Sequence, residues 1–387
     1  MHVAICGPCG PDGLTSLLYP SDARRACDFP GFGGTAVQQI VRSLASAGIR
    51  VSVITTAADD SLGRTDFEGP SVHVAVVPRR GAGDAIRDAY RQERRELSAA
   101  IRDEKPDIVH AHWTYEFELA AQDAGLPHVT TARDAPATIF RHSRDRYRLA
   151  RWGVAMLARP GIRELSTPSP YMAQKWRRQM AYRRPISVIP NPIPTDLAAV
   201  HRAPTDPPVI LEVADASPRK NVWTLIRAFK DVRAYYPRAR LRLVGDGLGE
   251  GSPMSTRAKS EGLAEGVMFL GRLSRSGVVE QLSIASVFAH VSFEEWFGSS
   301  VLEAVTAGLP TLGGKNSGAI PYVLGGGEAG LLVDVSKPTE VSRGILELLG
   351  GTAGPQGRSQ VQFARRHFDG AVVCRQYINW YSRTLGF

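Results

Sequence analysis

The chain is short of several things, and each shortage narrows what it can be. It has only four cysteines in 387 residues: Cys6, Cys9, Cys27 and Cys374. A disulfide-stapled scaffold carries many more in a far shorter chain, so these thiols read as mostly reduced. No run approaches the roughly 18 apolar residues that cross a bilayer. The opening residues, MHVAICGP, lack a charged segment followed by an apolar one, so no signal peptide and a cytoplasmic location are expected. There is no internal repeat, and composition excludes collagen-like and coiled-coil chains. Zinc-finger spacing, an RNP-like motif and a basic helix-turn-helix are missing too, which argues against nucleic acid as a partner.

What is present is ordinary globular composition. Hydrophobic residues make up 43% and charged residues 22%, which excludes global disorder. At roughly 100–200 residues per domain, the length suits two domains. Forty-seven Lys and Arg against 38 Asp and Glu give a formal charge of +9. A basic surface attracts nucleic acid, anionic lipid or phosphorylated small molecules, and charge alone does not choose among them.

Short β-rich runs alternate with longer helical patterns, as in βαβ units around a parallel sheet. Strands are expected at His2–Cys6, Val51–Thr55, Val72–Val77, Asp107–His110, His128–Thr131, Ile162–Ser166 and Ile186–Ile189. Between them fall a long loop to about Phe32, a helix over Thr35–Ala47, a charged helix over about Asp84–Glu104 and a basic helix over about Ser143–Ala158. A proline-dense connector follows, with Pro190, Pro192, Pro194, Pro204, Pro207 and Pro208; proline stiffens a linker and ends regular structure. A second βα series then begins, with strands at Val209–Val213, Leu241–Val244, Val267–Phe269 and Val287–Val291 and helices over Val222–Tyr236 and Ser299–Ala307. The tail, about Gly370–Leu385, is helical and aromatic. The expectation is therefore an α/β chain of two Rossmann-like domains, 1–195 and 196–369, with a C-terminal helix at about 370–387 completing the first. Ligands in such folds bind where loops leave the carboxyl ends of strands.

Several segments carry chemistry. Pro30-Gly31-Phe32-Gly33-Gly34 precedes a helix, where glycines admit a ligand to backbone amides and the helix start favours anions; a plain turn reads equally well. Cys6-Gly7-Pro8-Cys9 has redox spacing, but Gly10, Pro11 and Gly13 oppose the helix that would lower a thiol pKa, so it reads as a strand running into a turn. Glu295 and Glu303 are separated by seven residues across a strand–helix junction. With the amides of Ser299, Ser300 and Val301 between them, they suit a sugar hydroxyl, a diphosphate and a ribose in order. Arg219 and Lys220, after the first strand of the second half, suit a diphosphate; the plainer reading is a solvated basic turn. Leu243-Val244-Gly245-Asp246-Gly247 is by itself a turn signal. His110 and His112 end a strand, and a metal site there lacks a third ligand, so no metal is expected. The basic helix sets Arg144, Arg148 and Arg151 on one side and Leu149, Trp152 and Met156 on another, which fits either core packing or contact with an anionic membrane.

Taken in order, these segments resemble the family 4 glycosyltransferases, retaining enzymes of the GT-B fold. The resemblance rests on GFGG (31–34), PDIVHAHW (106–113), SPYMAQ (169–174) and ISVIPNPI (186–193). It continues through LIRAF (225–229), LVGDG (243–247), FLGRLS (269–274) and EWFGSSVLEAVTAGLP (295–310). It implies two domains facing across a cleft, an N-terminal one for the acceptor and a C-terminal one for a nucleotide-sugar donor, whose closure excludes water. Glu295 would bind donor-sugar hydroxyls and Glu303 the ribose. Lys220 with Arg219 would neutralise the diphosphate, with Gly33 and Gly34 against the phosphates and the Ser299–Val301 amides on the distal one. Phe297 and Gly298 fall within the same motif, and Gly245, Arg272 and Leu273 would line the nucleoside pocket. His110, His112, Trp113 and Asp134 are acceptor-side candidates. No cofactor beyond the nucleotide sugar is implied, with UDP favoured over GDP.

Two positions depart from the family pattern. Ala214 stands where a basic residue usually precedes the phosphate-binding lysine, with Arg219 as the replacement charge. Arg133 stands where a histidine is usual, facing donor phosphate, an anionic sugar or an acidic acceptor, or else pairing with Asp134. The rival readings are a phosphorylase or sucrose-type synthase on the same fold, a non-catalytic nucleotide-sugar-binding partner, and a peripheral membrane enzyme with a lipid acceptor.

Overall fold

The computed structural model describes the chain except at positions 30, 32, 59, 62, 198–201, 204, 353, 355 and 356. Pro30 and Phe32 of the glycine-rich segment and Pro204 of the connector lie outside the described residues. The chain divides into two units, Met1–Pro192 with Gly370–Phe387 and Ile193–Asp369. The division at 192/193 falls inside the Pro190–Pro194 run, three residues before the expected boundary.

The first unit is built on eight strands: β1 (His2–Cys6), β2 (Arg50–Thr56), β3 (Thr65–Glu68), β4 (Val72–Val77), β5 (Ile108–His112), β6 (His128–Thr131), β7 (Leu165–Thr167) and β8 (Ile186–Val188). Their order is β3-β4-β2-β1-β5-β6-β7-β8, parallel throughout except where β3 runs antiparallel to β4. Parallel strands covered on both faces read as continuous apolar runs, as β1 does after His2, while β2 is equally buried after Arg50 but includes Ser52, Thr55 and Thr56. The helix Thr35–Ser46 buries Val37, Ile40, Val41 and Leu44, the one-face spacing of an amphipathic helix. The C-terminal helix Gly370–Leu385 packs into the same core through Val373, Cys374, Tyr377, Trp380 and Tyr381.

The second unit has six parallel strands: β9 (Val209–Val213), β10 (Arg240–Val244), β11 (Val267–Gly271), β12 (Val287–Ala289), β13 (Thr311–Gly314) and β14 (Leu331–Val333). Their order is β11-β10-β9-β12-β13-β14. Each sheet reverses direction of winding once, between β1 and β5 and between β9 and β12. Those reversals open crevices at the carboxyl ends of the strands, where open α/β sheets bind ligands.

Three segments differ from the sequence expectation, each for a local reason. The long loop after β1 holds a 3-10 turn, Pro11–Leu17, and a helix, Pro20–Cys27. Proline opens both, since its missing N–H is unneeded at a first helical position. The charged helix is two helices, Ala82–Arg87 and Arg91–Glu104, broken where Ala89 and Tyr90 take positive φ. The basic helix starts at Arg146 and runs to Ala158, with Asp145 capping it by accepting from the Arg148 amide at 2.8 Å; a further helix, Pro136–Ser143, precedes it, and Arg144 at φ 48° separates the two.

Candidate functional site

In the second unit the switch point gathers the charged candidates. After β9 the chain makes a 3-10 turn, Pro218–Lys220, and Asn221 then starts the helix Val222–Tyr235 from a left-handed conformation. The Asn221 amide donates to the carbonyls of Val291 and Val335 at 3.0 and 2.9 Å, which fixes the turn beside the exit of β12. Lys220 Nζ then lies 2.7 Å from Glu295 Oε1, and Arg219 Nη1 lies 3.5 Å from Glu295 Oε2 while donating to the Glu294 carbonyl at 2.6 Å. Both sequence-predicted cations therefore converge on the sequence-predicted carboxylate. Ala214 is buried, and its amide donates into β10, so the charge at this turn comes from Arg219 and Lys220.

Two further residues complete the cluster. His290 is fully buried, with Nδ1 2.8 Å from Glu212 Oε1 and Nε2 3.1 Å from Glu295 Oε1. Glu212 is also fully buried and accepts from the Val291 amide at 3.2 Å. Both ring nitrogens face carboxylate oxygens, so both must carry protons to make the two bonds, and the ring is an imidazolium. Burial alone would push its pKa down; Glu212 and then Glu295 overcome this and lift it to about 9. Burial would raise Glu295, but His290, Lys220 and Arg219 hold it well below the usual carboxylate range. The cluster thus sets three cations against Glu295 and Glu212, with Asp215 also facing Lys220 and Arg219.

Past Glu295 the chain enters the helix Ser299–Thr306 through Gly298. Ser299 and Ser300 open this helix, where backbone amides have no partner within the helix. The Val301 amide is different: it donates to the Gly298 carbonyl at 3.1 Å and is not open to a phosphate. Glu303 lies on the same helix, nearly buried, with Arg275 Nη1 2.8 Å away; burial pushes its pKa up against the pull of Arg275. Phe297 is buried edge-on against Phe368 at 5.9 Å between ring centroids, so its ring belongs to the core and not to a pocket wall. Gly245 has φ +139°, and a Cβ there would sit 1.9 Å from the Ala214 carbonyl oxygen, so the close approach of β10 to β9 requires glycine. Arg272 is exposed and lies 3.8 Å from Asp246, and Leu273 packs in part against the apolar core.

The first unit gathers a second set around the ends of β1, β5 and β6. Gly34, at φ +102°, caps the helix Thr35–Ser46, and a Cβ on it would meet the Pro8 carbonyl oxygen at 1.8 Å; a Cβ on Gly33 would meet nothing within 4 Å, and the Gly33 carbonyl accepts from the Gly10 amide at 2.9 Å. The Cys6–Cys9 segment beneath is buried, and burial raises both thiols, so a strand and turn are found there with no reactive thiolate. His110 is internal, with Nδ1 2.7 Å from Tyr381 Oη and Nε2 2.7 Å from Thr131 Oγ1. With both nitrogens engaged it has no atom left for an acceptor, and its work is to tie β5 to the C-terminal helix. His112 accepts at Nδ1 from Arg133 Nε and Nη2 at 3.2 and 3.0 Å, and burial keeps its pKa well below the ordinary value. Arg133 also donates to Asn191 Oδ1. The Tyr377 hydroxyl also faces it, and Asp134 is not among its hydrogen-bond partners. Asp134 instead accepts from Tyr115 Oη at 3.0 and 3.1 Å. Trp113 and Asp134 line a cavity of about 500 Å³ in this unit. Among the described residues, no group of three His, Cys, Asp or Glu side chains is placed to hold a metal ion.

Glu212, His290, Arg275 and Tyr115 were not legible as site residues. A signal was present for two of them: Glu212 is the one charged residue in VILEV, and His290 follows the apolar run VFA directly. A polar residue inside a buried parallel strand costs energy unless it is paired, so two of them on adjacent strands point to each other.

Two doubly wound sheets with candidate residues at the switch point of each define a two-domain Rossmann-like α/β scaffold. Two family models match in succession, Glycosyltransferase Family 4 over residues 33–197 and Glycosyl transferases group 1 over residues 195–365. The chain belongs to the family 4 glycosyltransferases and has their GT-B fold. It is 27% identical to D-inositol 3-phosphate glycosyltransferase of Acidothermus cellulolyticus over 392 residues, covering 89% of this chain and 85% of that one. It is 31% identical to probable sucrose-phosphate synthase 1 of Citrus unshiu over 180 residues, 42% of this chain but only 17% of that protein's length. Among solved structures, sucrose-phosphate synthase from Thermosynechococcus elongatus superposes with a TM-score of 0.77 at 18% identity, over 99% of this chain and 98% of that one. Anabaena HepE, solved in complex with UDP and glucose, gives 0.68 at 18% identity, over 99% of this chain and 100% of that one. No described helix is long and apolar enough to cross a membrane.

Proposed function

We propose that this chain is a retaining glycosyltransferase that moves a sugar from a nucleoside-diphosphate donor to an acceptor held by the first unit, without a metal ion. The observation that carries this is the clasp of Lys220, Arg219 and His290 on Glu295 at the β9–β12 switch point, one strand–helix junction away from Glu303. Lys220 and Arg219 neutralise the charge that develops on the departing diphosphate, and the first amides of the helix Ser299–Thr306 add to this. Glu295 orients the donor sugar through its hydroxyls, and Glu303 binds the ribose. The acceptor oxygen attacks from the face that the phosphate leaves, and the phosphate takes the acceptor's proton. No side-chain nucleophile is required, and none is assigned. UDP is the first choice of donor nucleotide, supported by the UDP complex of the Anabaena neighbour, and GDP the second.

Calorimetric titration of the purified protein with UDP, GDP and ADP, without added metal, tests the donor site. Selective binding of one supports the reading and names the donor class. Glu295→Ala is expected to abolish transfer while leaving the fold intact; full transfer in that variant removes Glu295 from the site. Nucleotide binding with no turnover on any acceptor panel would favour a non-catalytic partner of another transferase. A membrane-borne acceptor is a second reading, favoured by Leu149, Met156 and Leu157, which stand exposed on the arginine-rich helix Arg146–Ala158. Co-sedimentation with anionic vesicles that fades with salt is its signature.

A further inference from the structure

Arg275, in the second unit, sits where helix electrostatics disfavours it. It is the first residue of the helix Arg275–Ile284, which Ser274 caps by accepting from the Gly277 amide at 3.2 Å. The start of a helix carries partial positive charge, so a carboxylate is preferred there and a cation is not. The side chain turns instead to two carboxylates from other elements. Its Nε and Nη2 donate to Asp196 Oδ2 and Oδ1 at 2.6 and 3.0 Å, the two parallel bonds of an arginine–carboxylate fork. Its Nη1 lies 2.8 Å from Glu303 Oε2. Asp196 belongs to the short turn Thr195–Leu197. Leu197 is buried in one apolar cluster with Val301 and Leu302 of the Glu303 helix and Leu282 of the Arg275 helix. The fork is thus anchored to the same packing that positions Glu303.

Glu303 needs such a partner. It is nearly buried, and burial, with Asp196, pushes its pKa up while Arg275 opposes them. A protonated carboxyl keeps only part of its acceptor capacity, whereas an ionised one accepts from a pair of neighbouring hydroxyls. Arg275 takes Oε2, and among the described residues no side chain donates to Oε1. We propose that Arg275 is a positioning residue for the nucleotide ribose: clamped by Asp196, it holds Glu303 as an ionised acceptor whose free oxygen takes the vicinal hydroxyls of a ribonucleotide. The proposal rests on the reading that Glu303 binds the ribose. It adds that the site selects ribonucleotide over 2′-deoxyribonucleotide through a residue one step behind the ligand.

The test is calorimetry on the full chain with UDP and 2′-deoxy-UDP, the ratio of their affinities being the readout. The wild type is expected to favour UDP by about tenfold or more, the worth of one hydrogen bond to a charged group. Glu303→Ala should bring the ratio near one. Arg275→Gln should bring it below about threefold, by weakening UDP more than 2′-deoxy-UDP. A purely structural role would weaken both nucleotides alike and keep the ratio, and that result overturns the proposal. If Glu303→Ala loses the preference in the same series, the ribose reading stands without it. A wild-type ratio near one, or a ratio that survives Glu303→Ala, removes the ribose reading and the proposal with it. If Arg275→Gln does not fold, Asp196→Asn, at an exposed position on its turn, takes its place and should lower the ratio several-fold; an unchanged ratio there overturns the proposal. If GDP proves to be the nucleotide, GDP and 2′-deoxy-GDP are compared under the same criteria. Binding of neither nucleotide removes the donor site and the proposal together.

Discussion

The substitution Glu212→Gln removes the charge that organises the cluster around Glu295. The side chain keeps its shape but only one acceptor oxygen: Glu212 meets the His290 ring with Oε1 at 2.8 Å and the Val291 amide with Oε2 at 3.2 Å, so glutamine loses the negative charge and one of these two acceptors. His290 has no exposed surface, so solvent does not screen the change. Lifting a histidine from its ordinary 6.5 to about 9 corresponds to about 3 kcal/mol of stabilisation, at 1.36 kcal/mol per unit. Glu212 outranks Glu295 among the groups that raise it, so roughly 2 kcal/mol of that is expected to go with the charge.

The pH dependence gives the test its force. A group whose folded pKa is raised stabilises fully below its unfolded pKa and stops doing so as pH rises through the folded one. The wild type should therefore lose this contribution between about pH 6.5 and 9, and Glu212→Gln should be destabilised most at pH 6, with only the pH-independent cost of the lost acceptor remaining at pH 10. Urea unfolding of both proteins at pH 6, 8 and 10 measures the difference. Ring nitrogen shifts of labelled histidine locate the titration directly. A penalty for Glu212→Gln that does not vary with pH would refute the reasoning, as would a wild-type His290 that titrates near 6.5.

Other consequences are local. Gly245→Ala forces a Cβ to within 1.9 Å of the Ala214 carbonyl oxygen at φ +139°, and thermal unfolding should show a loss of at least about 2 kcal/mol. Tyr381→Phe removes the hydroxyl at 2.7 Å from His110 Nδ1, leaves a buried ring nitrogen unsatisfied and should cost about 1–3 kcal/mol in denaturant unfolding. Native iodoacetamide labelling followed by mass spectrometry should modify Cys27, the exposed thiol, and spare Cys6, Cys9 and Cys374; modification of Cys6 or Cys9 in the folded protein would revive a redox role for that pair.

Much of this architecture can be read from the sequence because period and punctuation agree with it. Thr35–Ser46, Val222–Tyr235 and Gly370–Leu385 repeat apolar residues at helical spacing, and the core strands are apolar runs between breakers. The break at Tyr90 leaves no such mark, since this residue takes a left-handed conformation that its type seldom adopts and the apolar spacing continues past it. Pro11 and Pro20 read as interruptions and turn out to be helix starts. Of the donor-side cluster, Lys220, Glu295 and Glu303 are legible because they fall in ordered motifs. Glu212 and His290 are not, because each is a single polar residue in an apolar run and their meaning lies in a pairing across 78 residues of chain.

That pairing bears on ligand binding as well as stability. Lys220 is already bound to Glu295 at 2.7 Å, so a diphosphate must compete with a carboxylate for it. With His290 protonated, Lys220, Arg219 and His290 balance Glu295, Glu212 and Asp215, which faces both Lys220 and Arg219; with His290 neutral, the cluster carries one negative charge in excess. Affinity for a dianionic leaving group should follow that net charge, because an anion that enters a low-dielectric site is held by net charge more than by any single pair. UDP binding at constant ionic strength is therefore expected to be level from pH 6.5 to about 8 and to weaken by about tenfold as pH rises past 9, the value to which Glu212 and Glu295 lift the imidazole. Glu212→Gln should move that fall to lower pH by the same interval that it moves the titration of His290. UDP affinity that stays flat through pH 10 in the wild type, with binding otherwise intact, would mean that the diphosphate does not sense His290, and the clasp on Glu295 would then be a structural pair alone.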